Sequence, residues 1–178
     1  MKTTLLFFSL IFANILFAQT TLIFEDFENN AVTFTAPIVG LFHDGSRDYF
    51  HIVPSSGPFI DGQGPINNIQ GSNFFGANDL DGEGGPATQT IDWNGIDIST
   101  STAITISAYF AEGNRLGGEN WDADTSMRVE YRVDGGAYTS IFAIEAAQGA
   151  NNVAPFVDLN FNGEGNDDGG PEITDVLT

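Results

Sequence analysis

The chain has 178 residues, no cysteine, 21 glycines and 16 phenylalanines, and its 24 acidic against 5 basic residues give a formal net charge of −19. That charge disfavours nucleic acid and anionic membrane surfaces as partners, since both would repel it. Without cysteine there is neither a disulfide framework nor a lipid-anchored thiol, so stability outside a cell has to come from burial or bound metal, in a length that fits one domain.

Met1 to Ala18 (MKTTLLFFSLIFANILFA) places Lys2 ahead of an apolar run and ends on Ala18 before Gln19, the pattern of a cleaved secretory signal. The run is short for a membrane span and lacks a basic flank after it, so no membrane insertion is expected once the signal is removed. The expected domains are a signal peptide, 1–18, and one β-domain, 19–178. Losing Lys2 takes the net charge from −19 to −20. The cations left are Arg47, Arg115, Arg128 and Arg132.

Thr20 to Glu28 (TTLIFEDFE) reads as a first strand ending on Glu25, Asp26 and Glu28, three carboxylates that are easiest to tolerate near a cation or at a solvated strand end. Ala31 to Val39 reads as a short second strand ending at Pro37. Gly40 to Asn73 is loop-rich, with a strand-like DYFHIVP from Asp48 to Pro54. His43 and His51 lie in this region without partners at zinc-ligand spacing, and read as half-exposed histidines of a loop and a strand.

Asn78 to Gly85 (NDLDGEGG) alternates Asp79, Asp81 and Glu83 around Gly82, so three side chains can converge on one hard cation; a solvated acidic turn is the plainer reading. Ala87 to Trp93 and Ile96 to Ser99 read as strand pieces joined by Asn94-Gly95. Ala103 to Glu112 (AITISAYFAE) alternates Ile104, Ile106, Ala108 and Phe110 against Thr105, Ser107 and Tyr109, the period of a strand. Gly113 to Asp124 is a long polar connection in which Trp121 suits stacking on a sugar ring. Around it, Asp122, Asp124 and Glu119 would accept hydrogen bonds or bind calcium and Arg115 would donate; alternatively Trp121 packs on the sheet. Ser126 to Val133 alternates again, Asp134-Gly135-Gly136 tolerates positive φ, and Ala137 to Glu145 returns as the second arm of a hairpin.

Asp158 to Gly170 (DLNFNGEGNDDGG) is a second acidic glycine loop, with Asp158, Asn160 and Asn162 alternating ahead of Gly163 like the first half of a calcium loop. Gly169 stands where a bidentate glutamate would belong. Glu172 to Leu177 begins a further strand.

The succession FFGANDLDGEGG, TIDWNGIDIS, NWDADTSMRVEYRVDGGAY and DLNFNGEGNDDG resembles a module common in secreted Bacteroidota proteins, beside adhesion repeats, extracellular nuclease domains or a type IX secretion sorting tail. The resemblance implies an antiparallel β-sandwich of jelly-roll type, similar to lectin-like and carbohydrate-binding modules, with structural calcium between first and last strands that would use Glu25, Asp26 or Glu28. It also implies closing strands after Thr178, so the jelly roll is expected to be incomplete at the C-terminus, with an unpaired edge beside Thr20 to Glu28 and further domains elsewhere in a longer protein.

The function expected is therefore a non-catalytic, secreted or cell-surface module, stabilised by calcium, for adhesion or for binding a glycan or other cell-surface ligand. A glycoside hydrolase would need two carboxylates facing across a cleft, but Glu25-Asp26-Phe27-Glu28 puts its acids on both faces. There is also no Gly-x-Ser-x-Gly elbow, no His-Glu-x-x-His and no phosphate loop. A structural spacer of a larger surface protein is the third reading.

Overall fold

The structure, a computed structural model, describes residues 19–28, 32–35, 42–43, 49–55, 66–78, 80, 88–113, 121–147 and 151–174. These contain strands and no helix, arranged as two three-stranded antiparallel sheets. The fold is all-β, as the alternation and turn chemistry imply. Residues 1–18, read as a signal, lie outside the described residues, as do Asp79, Asp81, Glu83, Arg115 and Glu119.

The first sheet joins β1 (Phe42–His43), β2 (Tyr49–Pro54) and β3 (Asn73–Asn78) in that order. The strand read from Asp48 to Pro54 is thus found as β2, and His51 sits half-buried within it. β2 is covered on both faces, with Phe50 6% exposed on one side and Tyr49 and Val53 at 7% and 8% on the other. Phe75 meets Phe50 edge-on with ring centroids 4.8 Å apart, and Phe27 and Phe34 extend the cluster at 5.7 Å each from Phe75. β3, which no strand reading covered, carries Gly76 in its middle. The glycine is needed there: a Cβ would stand 2.7 Å from the Tyr49 ring and 3.1 Å from Val53.

The second sheet joins β4 (Ser126–Tyr131), β5 (Thr139–Ala146) and β6 (Pro155–Val157). β4 and β5 form the expected hairpin. Its turn places Asp134 at φ 50° and Gly135 at φ 74°, and the Gly136 N–H donates to the Val133 carbonyl at 2.9 Å. A register shift between Val129 and Glu130 ends the regular alternation, so Tyr131 and Val133, expected on the core face, are exposed. The core is Ile144, Val157 and Ile173, against which Phe110, Trp121, Met127 and Phe142 pack. Each fully buried side chain of this kind is worth roughly 1.5–3 kcal/mol.

β6 lies inside the ladder. Beyond it, the Val157 N–H donates to the Pro171 carbonyl and the Ile173 N–H to the Pro155 carbonyl, so 171–173 adds a further row, and Glu112 N–H donates to Thr174 at its far side. The strand read at Glu172 to Leu177 is present as an isolated bridge, Phe156 to Glu172, with 175–178 outside the described residues.

Five strand readings are corrected, in three places. Ala103 to Glu112 is not a strand: up to Tyr109 it lies exposed, with Ile104 54% and Ile106 58% accessible, and its first ordered contact is Phe110 stacked on Phe142 at 4.9 Å. Thr20 to Glu28 is not a strand either, with Phe24 71% exposed. In both, the alternation is present and a pairing neighbour among the described residues is not, and a strand exists only in a ladder. Third, the described parts of Ala31 to Val39 and Ala87 to Trp93 meet in a single bridge, Thr35 to Asp92, and Ile96 to Ser99 forms no strand.

Candidate cation-binding loop

The loop 158–170 leaves β6 at its C-terminal end and returns to the same strand at Pro171. Its first residue, Asp158, continues β6 pairing by donating its N–H to the Ala143 carbonyl at 3.0 Å, which turns the side chain inward until it is 1% exposed. A buried carboxylate is costly unless hydrogen-bonded. Here the loop wraps it: Oδ1 accepts from the N–H of Asn160 at 3.1 Å and of Phe161 at 2.6 Å, and Oδ2 from Gly163 at 2.9 Å. The wrapping needs left-handed backbone at Phe161, φ 59°, and at Gly163, φ 91°.

Asp168 closes the loop from the other end. Its Oδ2 accepts from Leu159 at 2.6 Å and Asn160 at 2.8 Å, and its Oδ1 from Gly170 at 3.0 Å. Between them Asn160 Oδ1 accepts from the Asn162 N–H, Asn162 Oδ1 from Glu164, and Asn162 Nδ2 donates to Asp167 at 2.7 Å. The side chains of Asp158, Asn160 and Asn162 thus each accept backbone N–H bonds from residues that follow them in the loop, and Asp168 does the same from its far end. Sequence reasoning missed Asp168; the signal was an aspartate ten residues after Asp158, just ahead of paired glycines.

Burial alone would raise the Asp168 pKa, but the N–H groups of Gly170, Asn160 and Leu159 outweigh it and hold the carboxyl below the ordinary aspartate value. A depressed folded pKa contributes stability that is complete above the ordinary aspartate value and is lost as pH falls through the lower, folded one. Acid titration followed by amide chemical shifts should therefore loosen Leu159 and Gly170 at a pH below that of an unstructured aspartate, and Asp168→Asn should abolish the step.

The loop packs on β5. Gly165 lies against the Glu145 carbonyl and Gly170 against the Val157 carbonyl, both too close for any side chain. On the same strand Glu145 is 5% exposed and takes both Arg128 Nε, at 3.1 Å, and Nη2, at 2.8 Å, on one oxygen. Glu145 first, and Asp158 and Glu130 at longer range, hold the Arg128 guanidinium protonated.

The other carboxylates expected at a metal do different work. Glu25 accepts from the N–H of Phe27 at 3.0 Å and from Thr33 N–H and Oγ1 at 2.7 and 3.0 Å. Glu28 Oε1 accepts from Ser72 and Asn73 N–H at 2.7 and 2.9 Å. The two face different partners, anchoring 32–35 and the start of β3. Among the described residues no three His, Cys, Asp or Glu side chains converge as a metal would need. A cation at 158–170 would thus rely on asparagine and backbone oxygens beside the carboxylates, each of which keeps lone pairs after accepting N–H bonds.

Trp121 is half-buried against Ile144, Val157 and Ile173, and its backbone exchanges hydrogen bonds with Val153 at 3.3 and 3.0 Å. Asp122 and Asp124 are exposed on the following turn, closed by Thr125 N–H to the Asp122 carbonyl at 2.9 Å. Among the described residues no helix is long and apolar enough to cross a membrane. No family model matches the chain, nor does any curated protein or solved structure.

Proposed function

We propose that the chain is a non-catalytic extracellular β-module of jelly-roll type that takes up calcium in its acidic glycine loops and serves adhesion or carbohydrate binding beside further domains of a larger secreted protein. The observation that supports the calcium reading is the loop 158–170, which carries Asp158, Asn160 and Asn162 at alternate positions ahead of a left-handed Gly163 and folds its backbone around the Asp158 carboxylate. Asp79, Asp81 and Glu83 repeat the alternation and supply the second candidate loop. The extracellular reading rests on the signal pattern of Met1 to Ala18.

Trp121 favours a second reading. Its indole is spent on the core, which supports a structural spacer over a sugar-stacking surface at that residue. Thermal unfolding in calcium and then in excess chelator separates these ideas from a merely acidic surface. With calcium about a hundredfold above its dissociation constant, a native-only site raises Tm by roughly 5 °C or more. An unchanged Tm sinks the calcium reading. A raised Tm with no hit on a glycan array leaves the spacer.

A further inference from the structure

The chain contains two Asn-Gly pairs, Asn94-Gly95 and Asn162-Gly163, and the structure treats their reactive nitrogens in opposite ways. We infer that Asn94 is a site of spontaneous deamidation to aspartate and isoaspartate, and that Asn162 is protected from the same reaction by the buried carboxylate of Asp158.

The reaction begins with the backbone nitrogen of the following residue. It loses its proton and attacks the asparagine Cγ, the Cγ–Nδ2 bond breaks, and ammonia leaves with that proton, giving a five-membered succinimide. Water then opens either ring carbonyl, to aspartate or isoaspartate. Glycine favours the step because it has no Cβ to shield its nitrogen or restrict its backbone.

At Asn94 nothing stands in the way. Both residues are exposed, Gly95 has φ 70° with open space where a Cβ would project, and an open cavity bordered by Gly95, Ile96, Val133 and Asp134 admits water. Among the described residues none accepts from the Gly95 N–H, and the Asn94 amide has one long bond, to Thr35 Oγ1 at 3.4 Å.

At Asn162 all three reacting parts are held. The Gly163 N–H is donated to Asp158 at 2.9 Å, and a negative acceptor opposes loss of that proton. The leaving Nδ2 is bound to Asp167 at 2.7 Å and the amide oxygen accepts from Glu164 at 2.9 Å. Attack requires the loop to open first, and a hydrogen bond to a charged acceptor slows that by about tenfold or more.

The test is incubation of the folded protein in mildly alkaline buffer, digestion and peptide mass mapping. The amide-to-acid mass gain is read, since Asp-Gly isomerisation leaves mass unchanged. The peptide containing Asn94 should convert, splitting into two isomeric products, at least about tenfold faster than the peptide containing Asn162. In urea the two rates should become alike, and Asn94→Gln should remove the faster product. Equal rates in the folded protein, a faster Asn162, or a rate difference that persists in urea would overturn the inference.

Discussion

Asp158→Ala is expected to lower stability by about 3 kcal/mol, seen as a fall in Tm of roughly 10 °C. The carboxylate accepts from the N–H groups of Asn160, Phe161 and Gly163 while 1% exposed. Alanine leaves those donors around a small cavity, and the loop must either admit water there or move. Both options disturb the seam on which Gly165 and Gly170 lie. Asp158→Asn preserves the volume and one acceptor oxygen, so it should cost about half as much. Equal losses for the two would mean that charge, not the wrapped geometry, is what the site needs; no loss for either would show that the loop does not stabilise β6.

Gly170→Ala is expected to cost about 2–3 kcal/mol, while Gly169→Ala, one residue away, costs only about 1. The two glycines are required for different reasons. Gly169 has φ 82° with open space around it, so alanine there meets only the left-handed backbone penalty. Gly170 has ordinary φ but lies against the Val157 carbonyl, a main-chain atom that can shift only by breaking its place in β6. Denaturant unfolding of both variants checks the order, and a larger loss at Gly169 would contradict the packing described.

What was legible in the sequence was local. The hairpin of β4 and β5 announces itself twice, by alternation and by Asp134-Gly135, whose positive φ values the structure adopts. The alternation of Asp158, Asn160 and Asn162 is local too, and each of these side chains is found bonded to backbone N–H groups of its own loop. What failed was everything that depends on a neighbour distant in sequence. Ala103 to Tyr109 alternates as cleanly as β4 and lies exposed, because period two records the ability to pair and not the pairing. β6 was missed for the converse reason: Pro155-Phe156-Val157 is too short to show a period, yet β5 on one side and 171–173 on the other make it central. β3 was likewise unassigned, and what requires its Gly76, the Tyr49 ring, is on another strand.

Glu25 and Glu28 hold 25–28 by bonds of a different kind from those of the sheets. That segment has no ladder among the described residues, so beside the Phe27 ring on Phe34 and Phe75 its attachment is a pair of side-chain tethers, one to Thr33 and one to Ser72 and Asn73. A ladder opens bond by bond and recloses from its intact end, whereas a tether is either made or lost. Loss of either tether therefore frees one end of 25–28 without breaking a hydrogen bond of β4, β5 or β6.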